Sequence, residues 1–236
     1  MSAQEEAAGP IPSAVDPALF GGAIHASLPP EFHDLSLLRP VPDHQECWFN
    51  AQNNSLLVIE IVERLPDDDD NHNSHNHNDP VEFYFRDLCQ VNQIPNDQQV
   101  YRRGHCRPLS SLPSLVIPQG LPAAAVSSSS SSANVVVFFG TGWHSMPPND
   151  PNDDRHRCRW IMVELCLIRL PTFHTDILIT LSTPTTTVST EPQPQEPPSF
   201  RLDHHPAGSS DVFQQVVSTF SIRDWTLFGE QGQAAT

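Results

Sequence analysis

Ser55–Leu65 reads SLLVIEIVERL. Apolar residues fill it almost without a break, and the β-branched side chains of Val58, Ile59, Ile61 and Val62 favour an extended strand. A run this apolar matches a central strand covered on both faces. Two acids interrupt it, Glu60 and Glu63. An unpaired carboxylate is costly to remove from water, so each must reach solvent, a counter-charge or a partner. Upstream, Glu46–Asn50 predicts a second strand, with Gln52-Asn53-Asn54 as the turn that joins the two.

Further out, Ala23–Leu28 is a short strand candidate that ends at Pro29-Pro30. Val135–Gly140 (VVVFFG) is a β-branched and aromatic run that stops at Gly140-Thr141-Gly142, which reads as a turn. Trp160–Arg169 and Asp176–Ser182 form a hairpin across the short Leu170–Thr175 link. Two helices complete the set. At Asp79-Pro80 an aspartate cap precedes a proline at the first helical position, and VEFYFRDLCQV follows. Val81, Tyr84, Phe85 and Leu88 recur there at helical spacing. Ser210 or Asp211 caps DVFQQVVSTF, in which Phe213, Val216, Val217 and Phe220 share a face. Strands, a helix, more strands and a final helix describe an α+β domain with a mostly antiparallel sheet.

Low-complexity stretches divide these elements near residues 66–79, 118–134, 145–157 and 183–210. They carry too little apolar surface to offset the entropy of ordering, so they read as surface inserts within one domain over 18–236, after a disordered tail over 1–17. There is no internal repeat.

The formal charge is −16, and all 12 basic residues are arginine. A nucleic-acid binder needs a cationic face to displace counterions from phosphate, and the longest basic run outside the inserts is Arg102-Arg103. An anionic membrane surface repels such a chain, and no apolar stretch is long enough to span a bilayer. Acids stand where a signal peptide carries bases. The five cysteines are odd in number and form no C-x-x-C pair, which fits a reducing compartment. The charge balance suits a cationic partner protein.

No catalytic constellation emerges. His72, His75 and His77 lie beside four aspartates, but a metal site needs ligands fixed by their surroundings, and this insert has no apolar scaffold. Gly140-Thr141-Gly142 lacks the remaining glycines and the lysine of a phosphate loop. Cys47 stands beside Glu46, an acid that raises a thiol pKa, so it is no activated nucleophile. No cofactor or metal is expected. The concentration of signal is acidic: Asp43 and Glu46 at the start of one strand, Glu60 and Glu63 within the next.

The blocks LFGGAI (19–24), LPP (28–30) and DLSLLRPVPDHQE (34–46) resemble the opening of the Ran guanine nucleotide release factor family, the Mog-type proteins. The similarity continues through SLLVIEIVE (55–63), FRDL (85–88), LIRLPTFHTDILIT (167–180) and FQQVVSTFSIRDWTLFG (213–229). Cys47-Trp48 and Ile61-Val62 depart from the family's usual residues but stay apolar, and no functional residue carries over between Gln90 and Met146. The resemblance implies a PsbP-like three-layer α/β/α sandwich. It also implies a non-enzymatic, monomeric regulator in nucleus and cytoplasm that binds the GTPase Ran, promotes nucleotide release and supports nuclear protein import. Glu60 and Glu63, with Asp43 and Glu46 nearby, match the family's acidic contact with Ran. Residues three apart in a straight strand point to opposite faces, so a shared surface for Glu60 and Glu63 calls for a bend, bulge or helical turn near Ile61-Val62. The rival readings are a trafficking scaffold that leaves the nucleotide alone, and a metal-dependent enzyme built on the His/Asp insert.

Overall fold

The apolar run becomes β4 (Ser55–Glu63), inside an antiparallel sheet that has seven strands among the described residues. In chain order the elements are β1 (Ile24–His25), β2 (Phe32–Asp34), β3 (Gln45–Asn50), β4, α1 (Pro80–Val91), β5 (Gln99–Arg107) and β6 (Val136–Met146). They continue with β7 (Arg159–Leu170), β8 (Thr175–Thr185), α2 (Asp211–Thr219) and β9 (Ser221–Ile222). The computed structural model describes residues 14–64, 79–118, 135–146, 159–185 and 210–229. The expected inserts fall almost wholly outside these residues, as do His72, His75 and His77. The sheet order is β2-β3-β4-β8-β7-β6-β5, and β1 pairs separately with β9.

Among the described residues one α-helix lies on each face, so the layers are helix, sheet, helix. Asp79 starts α1 by accepting from the backbone N–H groups of Val81 and Glu82, with Pro80 in the first turn. The same carboxylate accepts from the Tyr101 hydroxyl and the Gly104 N–H, which ties the helix start to β5. Val81, Phe85 and Cys89 are buried against Val163, Leu165, Leu167 and Leu178. On the other face Ser210 caps α2 by accepting from the Phe213 N–H. Its own N–H and hydroxyl donate to the buried Glu164 carboxylate at 2.7 and 2.6 Å. Phe213, Val216, Val217 and Phe220 join Leu57, Ile59, Ile168 and Ile179 in the larger core.

Several expectations need correction. Gly140-Thr141-Gly142 is not a turn, because β6 runs through it to Met146. The glycines serve close packing: a Cβ at Gly142 would collide with the Phe85 ring, and one at Gly140 with Val81 and Tyr101. β5 escapes the sequence reading, since QVYRRGHCR has neither alternation nor an apolar run, and its pairing with β6 is broken by an irregularity between Arg102 and His105. Only Ile24–His25 of the first candidate strand forms a strand; Leu28 instead bridges Val15. β4 is not covered equally on both sides. α1 packs on β5, β6 and β7, so Leu57 and Ile59 are buried under α2 while Leu56, Val58 and Val62 on the opposite face stay half-exposed.

Candidate functional site: an acidic strand end

β3 and β4 pair so that Gln45 stands opposite Glu60 and Glu46 opposite Ile59. Directly opposed residues of an antiparallel pair share a face. Glu60 and Gln45 therefore point to the side of α1, and Glu46 and Glu63 to the side of α2. The expected bend at Ile61-Val62 is absent: β4 pairs with β8 without interruption from Leu56–Ser182 to Glu63–Thr175. What gathers the acids is the end of the strands. Glu63 is the last residue of β4 and is exposed. The Ile61 N–H donates to the His44 carbonyl at 2.9 Å, which carries the pairing one residue past β3 into the turn closed by the Gln45 N–H on the Pro42 carbonyl, where Asp43 is exposed. The carboxylates thus surround a strand end and are not collected on one face.

Glu60 is held in place. The Gln45 side-chain amide donates to Glu60 Oε1 at 2.6 Å, and His44 Nε2 lies 3.6 Å from the same oxygen. Farther across the sheet on this face is a buried brace. Arg169 donates Nε–H and Nη2–H to the two oxygens of Asp176 at 3.0 and 2.9 Å, and the Tyr84 hydroxyl donates to Asp176 Oδ2 at 2.9 Å. Asp176 has no exposure at all, and the bidentate fork from Arg169 offsets the cost of removing its carboxylate from water. Burial first, and then the Asp176 carboxylate, push the Tyr84 phenol well above its usual range; it remains a hydrogen-bond donor that pins α1 to the sheet. The sequence reading missed this brace, although Arg169 and Asp176 stand at matching positions on either side of the Leu170–Thr175 link.

Glu46 has a different environment. Its Oε1 accepts from the backbone N–H of Phe20 at 2.6 Å, which secures a turn whose first residue has φ 48. Burial raises its carboxyl pKa above the ordinary 4.5, outweighing the lowering effect of the Phe20 bond. Glu46 is therefore a fold-bearing acid, set on the same face as Glu63 and away from Glu60.

Hydrogen-bonded carboxylates at a strand end can receive cationic side chains. They offer little for covalent chemistry, since burial pushes the neighbouring Cys47 thiol up and keeps it protonated. Among the described residues no group of three or more His, Cys, Asp or Glu could hold a metal ion.

Residues 17–184 match the family model described as Ran-interacting Mog1 protein. The chain belongs to the Mog1 family. Two Ran guanine nucleotide release factors are among the similar proteins. The one from Bos taurus is 25% identical over 219 residues, covering 92% of this chain and 97% of that protein. The one from Danio rerio is 28% identical over 167 residues, covering 70% and 76%. A solved structure of a Mog1 point mutant superposes with a TM-score of 0.52 over 92% of this chain and 100% of its own, at 19% identity. That likeness is one of fold, and it agrees with the helix–sheet–helix layering of this Mog1-family chain.

Proposed function

We propose that this chain binds Ran and favours release of its guanine nucleotide, in support of nuclear protein import. The observation that carries the reading is the match to the Ran-interacting Mog1 family over residues 17–184. The acidic strand end supplies a surface suited to it. Asp43 and Glu63 are exposed at the rim, and Glu60 stands behind them with its carboxylate fixed by Gln45 and His44. Glu46 contributes negative potential and shape from the α2 side.

The mechanism is a shift of equilibrium. A GTPase of this class grips its nucleotide through a P-loop lysine and a magnesium ion on the phosphates. Carboxylates docked against basic residues around that site favour a conformer that holds the phosphates weakly. A partner that binds the nucleotide-poor state more tightly must, by linkage, lower the affinity for nucleotide. The chain acts by binding, as a monomer, where Ran works in nucleus and cytoplasm, and its net charge of −16 turns it from nucleic acid.

The test is release of a fluorescent guanine nucleotide from purified Ran on addition of the chain. Faster release is expected. Binding without acceleration would favour a scaffold role, and no binding would remove Ran as the partner.

A further inference from the structure

The acids at the strand end account for charge, but two apolar side chains on the turn before them join neither hydrophobic core among the described residues. Leu37 and Leu38 are each 81% exposed, more than any other large apolar residue among those described. They are held in shape nonetheless. Asp34 caps their turn by accepting from the Ser36 N–H at 2.8 Å, and the N–H groups of Leu38 and Arg39 both return to the Leu35 carbonyl, at 3.0 and 3.1 Å. The turn follows β2, whose Asp34 pairs with Trp48, and it packs against β3. Only Arg39–Pro42, stiffened by two prolines, separates it from Asp43. Asp34 pairs with Trp48, and Gln45, three residues back along β3, pairs with Glu60, so the turn runs beside β3 toward the pair that carries Glu60.

The charged part of an interface governs encounter rate and partner choice more than affinity, which concentrates in a few apolar anchors. A leucine pair fixed by its own turn loses little conformational freedom when it is covered, and it gains the full transfer from water. We propose that Leu37 and Leu38 are the apolar anchor of the surface that receives the GTPase, with Asp43, Glu60 and Glu63 as its charged flank. The inference rests on the reading that this chain binds Ran. The matching surface is an apolar depression on the folded GTPase, bordered by lysine or arginine.

The full chain is titrated against purified Ran loaded with a fluorescent nucleotide, at about 0.05 M and about 0.5 M salt. The variants are Leu37→Ala with Leu38→Ala, and separately Glu60→Gln. The leucine variant should melt with the wild type yet lose at least about tenfold in affinity, by the same factor at both salt levels. The loss in Glu60→Gln should shrink as salt rises. A leucine variant that binds within about twofold of wild type overturns the anchor while leaving Ran as the partner. One that melts well below wild type shows a packing role and overturns it equally. Failure of the wild type to bind defeats the underlying reading and the anchor with it.

Discussion

Glu46 and Glu60 belong to the same strand end, yet their surroundings give them different work. Glu46 closes a backbone N–H and sits partly out of water. Glu46→Ala orphans the Phe20 N–H and should cost about 1–3 kcal/mol in denaturant unfolding. Glu46→Gln keeps an accepting oxygen and should be at least as stable as wild type at neutral pH. The sign follows from the raised folded pKa. At low pH the carboxyl is protonated in both folded and unfolded states, so its burial carries no charge penalty. As pH climbs through the folded value, wild type loses stability relative to Glu46→Gln, and the gap in melting temperature should widen as pH rises above the ordinary carboxylate range. A gap that is flat with pH would contradict this account. That Glu46 and Glu60 stand out was legible in the sequence, because acids beside or within apolar strands demand an explanation. Their separate roles were not, because the Phe20 N–H lies 26 residues from Glu46 and only the folded chain brings it near.

At the level of elements, both helices were legible because their signals are local. A cap, a first-turn proline and a stripe at helical spacing need no knowledge of the rest of the chain. β5 was hidden for the opposite reason, since among the described residues it is an edge strand and its sequence is rich in arginine and polar side chains. Gly140-Thr141-Gly142 misled because glycine marks close approach as well as turning. Here the approach is that of α1, and Gly142→Ala should force the Phe85 ring aside at a cost of about 1–3 kcal/mol. Phe85→Ala, which empties a fully buried site, should cost about 3–5 kcal/mol. The double variant should cost less than the sum, since removing the ring removes the collision. Additive costs in urea unfolding would show that α1 does not bear on β6 at this point.

Over the whole molecule, the sheet divides the acids between its two faces and reunites them at the strand end. On the sequence alone, a shared surface for Glu60 and Glu63 calls for a bend, bulge or helical turn near Ile61-Val62. A straight strand achieves proximity to one partner differently, by ending at Glu63 beside the turn that carries Asp43. A GTPase approaching along the strand axis can meet carboxylates from both faces. The measurement that bears most directly on this is the rate of labelled-nucleotide release from Ran in the presence of the Glu60→Arg, Glu63→Arg variant. The account predicts that the variant keeps the circular dichroism and melting of wild type, loses acceleration of release, and shows the steepest fall in association rate at low salt. A folded double variant that still releases nucleotide at the wild-type rate would contradict it.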